Sequence, residues 1–219
     1  EYATVLTNGA GYNAYASSLA LTTNATVNAL RLGYVGTQNI GTNRTLTIAS
    51  GGVLFNVNDK SIGVSGNATA GTLDFGGAEG VVWVPGLGTN TIGAKITGSA
   101  GLTKAGTGVL TLTGANGYSG TNHVSGGTLR LGDGTYASSA GAGDVQVHVG
   151  AVLSVASANA ISDSARITVD QRGGAFVLEL RARRLQILNE LRDHLLPLVR
   201  LGAEGLGEHR VHPRRQIRA

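Results

Sequence analysis

The sequence predicts an all-β chain wound as a right-handed parallel β-helix, a solenoid with rungs of about 20 residues, followed by an atypical arginine-rich helical tail. Three observations carry that expectation. Short runs in which an aliphatic residue alternates with Thr, Ser or Asn recur from Ala25 to Asp170, at the period of two that a half-buried strand shows. Glycines open these runs at a nearly constant phase: the step from Gly52 to Gly71 equals that from Gly108 to Gly127, the step on to Gly150 is slightly longer, and that from Gly71 to Gly108 is nearly double. A weaker phrase at Asn90-Thr91-Ile92-Gly93 divides the doubled step and restores a single period, which lies in the range of stacked-repeat architectures. A unit of that size cannot bury its inner face alone, so it must stack on its neighbours. The competing architecture is an antiparallel sandwich, with turns recurring at roughly half that period. The fixed phase of the Gly-Leu phrases favours the solenoid.

Composition points the same way. Thirty-five Gly, no Cys, no Met, 5% aromatic and 14% charged residues describe a chain that buries small aliphatics and carries few titratable groups. Without Cys there is no disulfide framework, no thiolate metal site and no thiol catalysis. No run of about 18 apolar residues offers a membrane-spanning helix. The start Glu1-Tyr2-Ala3 lacks a basic segment followed by an apolar one, so the chain reads as a fragment or a mature piece. The long alternating segments of an outer-membrane barrel are not supplied after Asp170, so attachment to an outer membrane is expected only through parts outside this chain.

In order along the chain, residues 1–24 read as a lead-in loop or incomplete rung and residues 25–170 as the β-helical repeats. Strands are expected near 45–49, 53–57, 109–113, 128–131 and 145–155, all stacked in parallel. Leu110, Leu112, Leu129 and Leu131 should point inward. Through Asp170 seven cations face eight anions, whereas from Gln171 onward ten Arg face five acids. The basic balance therefore belongs to the tail alone, and nucleic acid is not an expected partner. Residues 171–219 contain neither Thr nor Ser, and apolar residues at spacings of three, four and seven predict a helix over 176–196, closed by Pro197. Three accounts of this tail stand side by side: a cap on the last rung, a basic segment for a membrane surface, or frame-shifted text, of which the last is favoured.

The clearest unit runs from Gly101 to Gly132. Its first half reads Gly101-Leu102-x-Lys104-x-Gly106-x-Gly108-x-Leu110-x-Leu112-x-Gly114-x-Asn116-x-Tyr118-x-Gly120, and Asn116-Gly117 is a strong turn dipeptide. This pattern resembles the autotransporter-associated β-strand repeat, also called the passenger-associated transport repeat, of bacterial cell-surface proteins. The matching positions are those eleven, and Thr121-Asn122-His123-Val124 departs slightly from the run that follows in the family. The resemblance implies a non-enzymatic β-helical passenger segment of a secreted or surface-displayed protein at the bacterial outer membrane. It implies a structural or adhesive role and help in crossing that membrane. Surface glycans, or proteins of a host or neighbouring cell, are the partner classes it suggests. The eleven residues are expected to be structural, with no catalytic, cofactor or metal site among them and no cofactor required.

The alternative function is a polysaccharide lyase or hydrolase on the same scaffold, which needs convergent acids. Asp59, Asp74 and Glu79 are the candidates, although solvated turn positions explain them as well. His123, His148, His194, His209 and His212 show no metal-ligand spacing within one element. Gly9-Ala10-Gly11-Tyr12-Asn13-Ala14 mimics a dinucleotide fingerprint without its flanking strand and helix, so it reads as a loop. Asn24, Asn43 and Asn67 head formal glycosylation sequons, expected by chance in so Asn- and Thr-rich a chain. Trp83, the single Trp, reads as a buried plug.

Overall fold

The computed structural model describes residues 9–16, 19–33, 37–64, 66–86, 88–134, 138–170, 173–178 and 199–200. Their strands pair only in parallel, and each turn of the coil visits three faces in the same order. Before the first full turn lies β1 (Gly9–Ala16). The strands of the first rungs are β2 (Ala25–Leu32), β3 (Thr37–Gln38), β4 (Thr45–Ile48), β5 (Gly52–Phe55), β6 (Ser61–Ile62), β7 (Thr72–Asp74), β8 (Gly80–Trp83) and β9 (Thr89–Ile92). The middle rungs hold β10 (Lys95–Thr97), β11 (Leu102–Ala105), β12 (Val109–Leu112), β13 (Asn122–Val124), β14 (Thr128–Leu131), β15 (Val145–Val147) and β16 (Val152–Val155). Last come β17 (Ile167–Val169), β18 (Ala175–Leu178) and β19 (Val199–Arg200).

The first face is the start of β2 with β4, β7 and β10; the second is the end of β2 with β5, β8, β11, β13, β15 and β17. Because β2 bends across the corner, these two faces form one 11-stranded sheet, and the third face, β3 to β19, is a separate 8-stranded one. The core is the space the faces enclose. Leu46, Leu73 and Ile96 stack in register on the first face, and Ile62, Ile92, Leu112, Leu131 and Val155 on the third. All of them are buried. Each such side chain contributes roughly 1.5 to 3 kcal/mol of burial, and the period of two turns Thr45, Thr47 and Thr128 away from the interior.

The glycine spacing needs one correction. Gly52 opens β5 on the second face while Gly71 precedes β7 on the first, so the step between them is not a rung. Gly108 and Gly127 do mark successive rungs, since Val109 pairs with Thr128. The weak phrase at Asn90 is the preceding rung, with Leu110 opposite Asn90. Earlier rungs are longer, with Gly52 opposite Val81 and Ser61 opposite Thr91. Corners absorb the extra residues, among them a 3-10 turn at Ala68–Ala70, while strand register is kept.

Four local readings also change. The Gly9–Ala14 stretch, read as a loop, lies in β1, because β2 offers it an edge to pair with and Ala14 a place to bury; Asn28 Nδ2 donates to Asn13 Oδ1 at 2.8 Å. The single strand expected over 145–155 is two strands, broken by a corner at which Gly150 has a φ of 74°. Residues 176–178, expected at the start of the tail helix, lie instead in β18, which continues the third face against β16. There the exposed edge of β16 prevails over helical periodicity. The rest of the helix expected over 176–196, like most of the tail, lies outside the described residues. Trp83 is not a plug: it points outward from β8 and is 50% exposed.

Candidate functional site

The eleven residues of the repeat phrase span one turn of coil, since Leu102 pairs with Asn122 on the next rung, and they surround a polar device at the corner between the second and third faces. On the second face the inward column reads Leu30, Val53, Val82, Lys104, Val124, Val147. Lys104 thus occupies a position that its neighbours above and below fill with Val, and it is fully buried. The side chain curls to the corner, where Nζ donates to the backbone carbonyls of Ala105 and Gly106 at 2.9 Å and of Gly126 at 3.0 Å. One ammonium thereby satisfies carbonyls of two successive rungs. Burial lowers its pKa from 10.5 to about 8.

The glycines around it are dictated by close approach. Gly106 sits at a φ of 81°, and a Cβ there would lie 2.3 Å from the carbonyl oxygen of Val84 on the rung below. A Cβ on Gly101 would meet the Thr121 carbonyl oxygen at 1.7 Å. Gly108, Gly114 and Gly120 mark the remaining corners of the unit, and Leu102, Leu110 and Leu112 fill the interior.

Asn116 and Tyr118 solve a different problem. The first face carries strands β4, β7 and β10, but residues 113–121 form none. Asn116 substitutes its amide for the missing peptide: Oδ1 accepts from Ile96 N at 3.0 Å on one side, and Nδ2 donates to Ser139 O at 2.9 Å on the other. Tyr118 fills the space beneath and donates its hydroxyl to Asn122 Oδ1 at 2.7 Å, while Asn122 Nδ2 donates to Ala140 O at 2.7 Å. Burial pushes the Tyr118 hydroxyl pKa well up. Asn122 is the member of this set that sequence reasoning missed. Its signal was present, since Asn122 aligns in register with the inward Leu102.

The candidate acids do not converge on one another through any hydrogen bond. Asp74 Oδ1 accepts from Thr97 at 2.7 Å and Oδ2 from Thr47 at 3.3 Å on the first face. Glu79 accepts from Thr103 across the next corner, and Asp59 sits in a left-handed turn, φ 58°, between β5 and β6. Asn43 and Asn67 both line an open groove of about 360 Å³ between the third and first faces, where Asn67 Oδ1 is held by Thr69 N and Oγ1.

The sequence pattern of the Passenger-associated-transport-repeat family matches residues 102–131, the stretch from β11 to the end of β14. The chain carries the passenger repeat of autotransporters. It is similar to the Adhesin BmaC autotransporter of Brucella suis biovar 1 (strain 1330), at 39% identity over 97 residues. That alignment takes in 43% of this chain and 3% of the relative, so the chain spans a small fraction of that protein's length. No solved structure matches the chain.

Proposed function

We propose that the chain is a right-handed β-helical passenger segment displayed at or released from the bacterial cell surface, with a structural and adhesive role and no catalysis. The observation that carries this reading is the Lys104 corner, a polar lock that ties one rung to the next within a unit matched by the passenger family. Nearest-neighbour stacking lets such a coil assemble rung by rung, so folding outside the membrane draws the chain outward behind it. The outward strip of the second face supplies the adhesive surface: Val81 and Trp83 stand 39% and 50% exposed on β8, in register with Thr103 and Ala105 on β11. An exposed aromatic face suits a sugar ring or a partner protein.

Fusion of the full chain to an outer-membrane translocator tests the display role. Intact cells should present it in protease-accessible, folded form, and Asn116→Ala should lower surface yield. Equal display of both would overturn the translocation role. For adhesion, Trp83→Ala should weaken binding to a glycan-coated surface by at least about tenfold, the loss expected of a central aromatic contact. Unchanged binding would remove the strip from the account.

A further inference from the structure

The outward side of the second face also brings two imidazoles into contact. His123 lies on β13, and His148 follows the end of β15. They belong to adjacent rungs, because Asn122, His123 and Val124 pair with Val145, Gln146 and Val147. His148 is therefore diagonal to His123 rather than opposite it, and the rings must lean to meet. They do so with centroids 5.6 Å apart, planes 19° apart, and His123 Nδ1 at 3.3 Å from His148 Nε2.

We propose that His123 and His148 together chelate a divalent late first-row transition-metal ion at the surface of the coil. Two nitrogens bound at about 2.0 to 2.1 Å with a tetrahedral angle between them stand about 3.3 to 3.4 Å apart. The pair holds that separation with its nitrogens facing each other along the line of the ring centres, as in an N–H···N hydrogen bond, so chelation requires each ring to turn off that line to aim its lone pair at a shared ion. Imidazole is a preferred donor for Zn, Cu and Ni. Chelation places the ring proton of His123 on Nε2 and that of His148 on Nδ1, leaving the facing nitrogens free as donors; the shift between tautomers passes through solvent and needs no other reactant. Among the described residues no group of three or more His, Asp or Glu converges on one point. The remaining coordination positions therefore belong to water or to a donor from a second molecule, which makes the site open and exchangeable. Lone His residues on separate rungs have no such geometry, and the wide sequence separation hides the pair from any search for ligands within one element.

The test uses the full chain, titrated with Zn2+ and separately with Cu2+ by calorimetry, while imidazole resonances are followed by 1H–15N NMR. One binding event should weaken at least about tenfold in His123→Gln and equally in His148→Gln, with Cu2+ bound more tightly than Zn2+. The two resonances should move together at substoichiometric metal. His194, His209 and His212 are present in every chain compared, so their contribution cancels. If both variants bind as the parent does, or only tail resonances respond, the proposal is wrong. Should either variant lose its fold, the parent's resonances alone decide between the same two outcomes.

Discussion

Lys104 is where a single side chain sets a measurable property of the coil. Its folded pKa of about 8 lies below the unfolded value of 10.5, so between these the unfolded chain holds a proton that the folded chain has released. Stability must therefore rise from pH 8 toward 10.5, by at most about 3 kcal/mol. Tyr118 works in the opposite sense. Its folded pKa is raised above the usual 10.0, so the unfolded chain deprotonates first and stability falls above pH 10. Denaturant unfolding across pH 7 to 11 should show a rise and then a fall; Lys104→Met should remove the rising limb and Tyr118→Phe the falling one. A parent chain whose stability is flat from pH 8 to 10 contradicts the lowered pKa of Lys104. The inward place of Lys104 was legible, since Leu102 and Lys104 share the parity of inward positions on one strand. Its partners were not, because they are carbonyls of a corner whose path depends on glycine conformation rather than on periodicity.

At the scale of the element, the third-face strands were the most legible part of the chain. Val109–Leu112 and Thr128–Leu131 set their leucines inward at matching positions and pair in register. The first face was the least legible, because in the repeat unit it contains no strand and is completed by side chains. Asn116 there does the work of a peptide group, a role that leaves no period in the sequence. Asn116→Ala orphans a buried N–H and a carbonyl and should destabilise by about 2 to 4 kcal/mol. Asn116→Asp keeps the acceptor for Ile96 N but loses the donor to Ser139 O, and its cost in denaturant midpoint should be distinguishable from that of Ala. Equal, negligible effects in both would mean that the amide does not bridge the rungs. Edge pairing accounts for two of the misreadings. Both β1 and β18 take their form from a neighbour's unpaired backbone, which overrides what their own sequences prefer.

For the whole molecule, the consequence of stacking is that rungs are exchangeable units. Joining Gly108 directly to Thr128 removes one complete turn and restores the phase, because Val109 and Thr128 are register partners. That chain should keep its β-rich circular dichroism and unfold at a lower temperature, since only one rung and one interface are lost. Removing the segment 109–117 instead puts the faces out of phase and should abolish cooperative unfolding. The longer early rungs show that length is set at corners, which is why a single period described only the middle of the chain.

The register itself is open to one direct measurement, made clean by the absence of cysteine from the sequence. Val109, Thr128 and Val152 lie in one outward column on three successive rungs. Adjacent strands are about 4.8 Å apart, within disulfide reach, whereas two rungs span about 10 Å and are not. Oxidation of the Val109→Cys, Thr128→Cys chain should close a disulfide with unchanged or raised melting temperature, and the Val109→Cys, Val152→Cys chain should remain free. A bridge in the second chain and none in the first would contradict the parallel coil from which every other claim follows.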